Sequence, residues 1–322
     1  MKPGLSAMCG ETGINSYRMD DGYRHIRHSF KAFDTLVSLD LWGEEEECKF
    51  LCSEIESSCA RYESLFSRTI ENSDIGRLNL ASGTWAPVDP QTSDLIESAL
   101  GYCESSDGLF DITIGNAVRQ WDFKKGEVAR ERALEDALPH IDWRSLEIDR
   151  EAGTARSRDP LALVDLGGIA KGWIADRIRE HAMRGDRRIS GMIANLGGNV
   201  ILGGSKPECD VWKIGVKDPW NPSRNVAVLE TRSGSVVTSG IYERCFERDG
   251  ILYHHVLDPK TGRPRHTDLA SATLVCADSI DAEGFSTTVL ALGMDKGSEF
   301  VRSRSEIQHA CLIGAKGDIR LL

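Results

Sequence analysis

The segment Leu163-Val164-Asp165-Leu166-Gly167-Gly168-Ile169-Ala170-Lys171-Gly172 constrains the fold more than any other stretch of the chain. An apolar run meets a glycine pair and then an amphipathic period. This reads as a strand, Leu161–Leu166, turning sharply into a helix, Gly168–Arg184. Such a turn aims backbone N–H groups and the positive end of a helix dipole at one point, which suits a phosphate or an anion-bound metal. Two familiar phosphate loops are excluded. Gly167, Gly168 and Gly172 do not have the GxGxxG spacing, and no Gly-Lys-Ser/Thr follows. On pattern alone, a structural turn and a ligand site are about equally supported; Asp165 at the strand end tips the balance toward a ligand.

A second segment, Tyr253-His254-His255-Val256-Leu257-Asp258-Pro259, places a histidine pair in an expected strand, Leu252–Leu257. Strand alternation sends the two rings to opposite faces, so one at most enters a given site. A neutral imidazole is suited to taking a proton from a hydroxyl. Taken alone, a histidine hydrogen-bonded at a strand end is the simpler reading. On an expected helix, Ser279–Leu292, Glu283 and Thr287 are four residues apart and share a face. With a backbone carbonyl and phosphate oxygens they would give Mg²⁺ its hard donors, although such pairs are commonly just solvated.

The chain of 322 residues is long enough for one large domain or two small ones. Its net charge of −11 argues against a general nucleic-acid or anionic-membrane surface. An anionic ligand would then depend on a local field from a metal or from backbone amides. No apolar run is long enough to span a bilayer. Met1 to Asp21 is polar, with no apolar leader core, so a cytoplasmic location is expected, or an exported one if the chain is a piece of a longer protein. Of the nine cysteines, Cys48, Cys52 and Cys59 fall on one helical face and none forms a C-x-x-C pair, which reads as buried, reduced thiols.

Residues 1–28 read as a tail or loosely attached segment, and 29–322 as the folded unit. Ser29 to Trp42 alternates like one strand. Helices are expected at Glu44–Phe66 and Asp89–Ser105, and a buried strand at Met192–Leu196, ending in a Gly197-Gly198-Asn199 turn. Helices and strands mix without a steady βα alternation, which indicates an α+β fold in one unit, with room for two lobes.

The order of short motifs is more specific than any one of them. Phe33-Asp34-Thr35, Leu65-Phe66-Ser67-Arg68, Ile75-Gly76-Arg77-Leu78-Asn79 and Gly108-Leu109-Phe110-Asp111-Ile112-Thr113-Ile114-Gly115 follow one another. Val164 to Gly172, Asn195 to Gly198, Thr238-Ser239-Gly240, His254 to Pro259 and Glu283 to Thr287 complete the series. From about Phe30 to the C-terminus, this series resembles the ApbE family of FAD:protein FMN transferases.

The resemblance implies a two-lobed α+β unit of the T-fold type with the flavin nucleotide between its lobes. It also implies transfer of FMN from FAD to a Ser or Thr hydroxyl of a target flavoprotein, with Mg²⁺, releasing AMP. By position, Leu109, Phe110, Asp111, Asp165, Lys171 and Leu257 match FAD-contacting residues, Gly168 a carbonyl ligand of the metal, and His255 a proposed general base. Glu283 and Thr287 fall at metal positions, but Glu283 stands where the family has Asp. The longer arm must fold back, Asp281 must substitute, or a water must bridge. Phe33-Asp34-Thr35 replaces the usual Met-Gly-Thr, and many relatives are exported lipoproteins. The alternatives are an Mg²⁺-dependent FAD pyrophosphatase giving FMN and AMP, and a non-catalytic protein that stores FAD.

Overall fold

The expected strand Ser29–Trp42 is in fact two strands of a tight hairpin. Phe33 and Asp34 both adopt left-handed backbone angles, φ 56° and 57°, and turn the chain between Ala32 and Thr35. A two-residue turn of this hand matches the twist of the strands it joins. Asp is at home there; Phe is not, and so the pattern carried no turn signal. The computed structural model describes residues 13–18, 24–207 and 209–322.

In chain order the first elements are β1 (Gly13–Arg18), β2 (Arg24–Ala32), β3 (Thr35–Gly43), α1 (Glu45–Phe66), α2 (Asp74–Leu80), β4 (Ala86–Pro87), α3 (Pro90–Ser105) and α4 (Gly115–Val118). Then come α5 (Glu131–Ala137), β5 (Leu146–Asp149), β6 (Thr154–Ser157), α6 (Ala170–Ala182), β7 (Ile189–Leu196) and β8 (Asn199–Gly204). The rest are β9 (Trp212–Lys217), β10 (Asn225–Thr231), β11 (Gly234–Gly240), β12 (Cys245–Arg248), β13 (Ile251–His254), β14 (Leu269–Cys276), α7 (Ser279–Leu292), α8 (Met294–Arg302), β15 (Ile307–Gly314) and β16 (Ile319–Leu321).

The fold is α+β, as expected. One nine-stranded sheet runs β1-β2-β3-β7-β8-β11-β14-β15-β16, with every neighbouring pair antiparallel. The expected tail is partly built into it. Gly13–Arg18 and Arg24–His28 are paired strand, while residues 1–12 and 19–23 lie outside the described residues.

Strand alternation sorts the core. Val37, Leu39 and Leu41 face α1, α3 and α6, whereas Trp42 joins Trp212, Leu202, Val275 and Ile313 under the β9–β10 hairpin. β14 is buried along its whole length because both faces are covered. Cys48, Cys52 and Cys59 are buried in α1, with thiols pushed up to about 12 chiefly by burial, and the eight described cysteines are all unpaired. No helix among the described residues is long and apolar enough to cross a membrane.

The expected strand Leu161–Leu166 does not form. Leu163 makes only an isolated bridge to Ile114, and the segment is tied instead by side chains. The Asn79 amide donates to the Val164 carbonyl at 2.9 Å and accepts from the Val164 N–H at 2.7 Å. These bonds satisfy the backbone without a ladder.

The helix α7 is buried on nearly all sides and spans its expected residues. It stops where Gly293 takes φ 82°. Its own N-cap, Asp278, makes no side-chain capping bond. The buried Asp176 of α6 does so instead, accepting from Ser279 N at 2.8 Å and Ile280 N at 2.9 Å. Asp176→Ala is therefore expected to lower unfolding stability by roughly 1–3 kcal/mol, since it leaves buried donors unpaired. Urea denaturation followed by circular dichroism checks this; an unchanged midpoint would show that the cap is dispensable.

Candidate functional site

Two buried helices meet at Gly172. A Cβ there would lie 2.7 Å from the Ser279 carbonyl and 2.8 Å from the Glu283 Cβ, so only glycine lets α6 approach α7 this closely. That approach brings together Lys171 and Glu283, which are 112 residues apart. Lys171 Nζ donates to Glu283 Oε1 at 2.7 Å, and Asn199 Nδ2 donates to Glu283 Oε2 at 2.5 Å. The Lys171 side chain is 26% exposed and that of Glu283 8%. A carboxylate this deep requires such partners.

The sequence places Asn199 in a turn. It is instead the first residue of β8, fully buried, and its carbonyl oxygen accepts from Ser279 Oγ at 2.8 Å. The Gly197-Gly198 turn before it brings the backbone close to two other segments. A Cβ on Gly197 would be 2.5 Å from Thr35 Oγ1, and one on Gly198 would be 3.4 Å from Glu243 Oε1. Glu243, unnoticed in the sequence, therefore stands beside the same cluster. Desolvation raises its carboxyl pKa, the nearby Lys171 lowers it, and Glu283 raises it again.

Thr287 is one helical turn beyond Glu283. Its hydroxyl is 3.3 Å from Ser239 Oγ, which also pairs with Ser286 Oγ at 2.8 Å. Gly168 lies in the exposed turn leading into α6, where a Cβ would be 3.1 Å from the ring of Phe110. Asp281 faces another way and accepts from Tyr102 Oη at 2.6 Å. Of the three ways to accommodate the longer Glu283, substitution by Asp281 is thus the one its hydrogen bonding disfavours. The donors on Gly168, Glu283 and Thr287 are all hard oxygens, and Oε1 already faces a cation, the Lys171 ammonium. That chemistry fits a divalent ion with few protein ligands. Among the described residues no group of three or more His, Cys, Asp or Glu side chains could hold a metal.

The expected strand Leu252–Leu257 ends early: β13 stops at His254, and His255 lies in the bend that follows, so the two rings are separated by the strand end and not by alternation. His254 is buried and hydrogen-bonds to the Arg265 backbone. His255 is half-buried, and its backbone N–H donates to the Arg244 carbonyl at 3.1 Å. Burial pushes the His255 pKa down to about 4, and the nearby positive charges of Arg244, His254 and Lys171 add to the effect. Its Nδ1 is buried with no hydrogen-bond partner, as is Nδ1 of His254. His255 meets the carbonyl of Arg244, the residue after Glu243, and Lys171 is among the charges that lower its pKa but not that of His254, which links His255 rather than His254 to the Glu283 cluster.

The remaining expected residues have other partners. Asp165 accepts from the Gly167 N–H at 2.8 Å and pairs with Arg68 Nε at 2.7 Å. Arg68 also lines a cavity of about 190 Å³ with Thr69, Glu71, Asn79, Gly115 and Leu163. Asp111 has its carboxyl pKa raised by burial and accepts from Thr113 N, Thr113 Oγ1 and Trp143 N. It borders a second cavity, of about 410 Å³, with Gly108, Trp143, Pro259 and Lys260. Neither cavity includes His255, Lys171 or Glu283. Leu109 is half-buried, and Phe110 is buried in the main core. Leu257 packs with Ala117, Trp121 and Leu134.

The chain is similar to proteins of known family. A protein of Treponema pallidum named FAD:protein FMN transferase is 34% identical over 77% of this chain and 73% of its own length. One of Klebsiella pneumoniae with the same name is 32% identical over 84% of each chain. The crystal structure of the ApbE protein of Thermotoga maritima superposes with a TM-score of 0.83 at 30% identity, covering 92% of this chain and 96% of that one. The ApbE family pattern matches residues 33–312 and so takes in every site residue described above; the chain belongs to the ApbE family.

Proposed function

We propose that this protein transfers FMN from FAD to a Ser or Thr hydroxyl of a partner protein, with AMP as the leaving group. The observation that supports the reading best is the Lys171–Glu283 pair on two closely packed helices, with the unprotonated His255 bonded through its backbone to Arg244, the neighbour of the Glu243 that stands beside the Gly198 turn. The acceptor hydroxyl oxygen bonds to the phosphorus on the FMN side of the pyrophosphate. The bond to the bridging oxygen breaks, AMP leaves with that oxygen, and His255 takes the hydroxyl proton. Lys171 and the amides at the start of α6 supply positive field toward the phosphates. A divalent cation held by the Gly168 carbonyl, the Glu283 carboxylate and the Thr287 hydroxyl would neutralise further phosphate charge.

The Arg68–Asp165 pair beside its cavity suits the ribose or adenine of FAD, where a carboxylate can accept hydrogen bonds. Asp165→Ala is expected to weaken FAD binding by roughly 1–3 kcal/mol. A fluorescence titration with unchanged affinity would remove Asp165 from the binding site. The reaction itself is tested by incubating the protein with FAD, Mg²⁺ and a flavoprotein domain, then looking for in-gel flavin fluorescence after denaturation. Fluorescence that stays with the denatured domain supports transfer. Its absence with every flavoprotein domain tried, while AMP accumulates, favours hydrolysis.

A further inference from the structure

The two oxygens of Glu283 have different partners. Oε2 is fixed in the wall by Asn199, which is itself held by Ser279 Oγ at 2.8 Å; Ser279 Oγ in turn accepts from Ser235 Oγ at 2.9 Å. All four side chains in this chain of bonds are buried. Oε1 accepts from Lys171 at 2.7 Å, a side chain 26% exposed where that of Glu283 is 8% exposed. One carboxylate of α7 thus joins Lys171 of α6 to Asn199 of β8.

We propose that Lys171 is the resident counter-ion of Glu283 and occupies the oxygen that a divalent cation would take, with Asn199 as the positioning residue that leaves only that oxygen available. The inference rests on the reading of Glu283 as a metal ligand. Ammonium and divalent cation compete for Oε1, because two cations on one carboxylate oxygen repel. A pyrophosphate gives the ammonium another anionic partner, and the departing ammonium frees Oε1 for the metal. Cation and nucleotide therefore bind cooperatively: each is weaker alone, and each strengthens the other by the same factor. The buried carboxylate is never left without a positive neighbour, a condition that would be costly.

The experiment is a Mn²⁺ titration followed by electron paramagnetic resonance, with and without FAD, on the whole protein. Wild type should bind Mn²⁺ weakly alone and at least about tenfold more tightly with FAD. Lys171→Met should bind Mn²⁺ alone about tenfold or more tightly than wild type and lose most of the gain from FAD. Its melting temperature should fall without Mn²⁺ and recover with it. Asn199→Ala should weaken Mn²⁺ binding by freeing the carboxylate from its fixed orientation. Unchanged or weaker Mn²⁺ affinity in Lys171→Met would overturn the proposal. So would a variant that fails to fold even with Mn²⁺, because the cation should replace the ammonium. Glu283→Gln separates the two levels. If it retains Mn²⁺ binding with FAD, the metal reading fails; if it loses binding while Lys171→Met matches wild type, only the competition fails.

Discussion

Replacing His255 by alanine is expected to lower FMN transfer by about 10²–10⁴-fold, the range for loss of a general base, with FAD affinity nearly unchanged. His254→Ala should cost less, because that ring is turned to the Arg265 backbone. Single-turnover transfer and a separate FAD titration check both; a larger loss in His254→Ala would reverse the assignment. The pH dependence follows from the same burial. With its pKa pushed down to about 4, His255 is unprotonated through the neutral range, so the acid limb of kcat/KM due to this ring should lie near pH 4. Bound phosphates oppose the surrounding cations and should move the corresponding limb of kcat upward. The stability sign is also set. An unfolded histidine binds its proton near 6.5, so the stability from the neutral ring is complete above that value and is lost as pH falls from about 6.5 to about 4. His255→Ala should flatten stability over that window in acid-denaturation curves.

Glu283→Gln should reduce transfer by about 10²-fold or more, comparable to losing a principal electrostatic group in a phosphoryl-transfer site. The amide keeps the size of the side chain, and a carbonyl oxygen remains for Asn199. What it lacks is the charge that pairs with Lys171 and would hold a cation. Glu283→Asp keeps the charge but is a methylene too short to hold both partners, so it should retain more activity than the amide. Transfer rates across a Mg²⁺ series check this. Full activity in Glu283→Gln, or in excess chelator, would show that the carboxylate serves no catalytic ion.

The expected bounds of α7 are the observed ones, and those of α1 differ by one residue, Glu44 being its N-cap; the acidic first turn of α1 is a strong end signal. Asp165, Lys171, Glu283 and His255 were legible as motif positions. Contacts across long separations were not. That Lys171 would meet Glu283, that Asn199 would hold its second oxygen, and that Asp176 would cap α7 all depend on how closely α6 packs on α7. The packing rests on Gly172, which sequence spacing offered only as a failed dinucleotide fingerprint. Asn199 carried a turn signal because it follows two glycines, yet those glycines feed a buried strand. Glu243 sits in a loop with no periodicity and gave no signal. Leu161–Leu166 had strand composition, but its backbone partners are the Asn79 amide and the Ile112 and Ile114 region, which a local pattern cannot show.

The central claim is covalent transfer of FMN to a protein hydroxyl, and the most direct measurement is intact mass spectrometry of a flavoprotein acceptor domain after incubation with this protein, FAD and Mg²⁺. The acceptor should gain one FMN less one water, with an equal amount of AMP released, and neither should appear when the acceptor Ser or Thr is replaced by Ala. AMP and free FMN produced at the same rate without any acceptor, and an acceptor of unchanged mass, would contradict it.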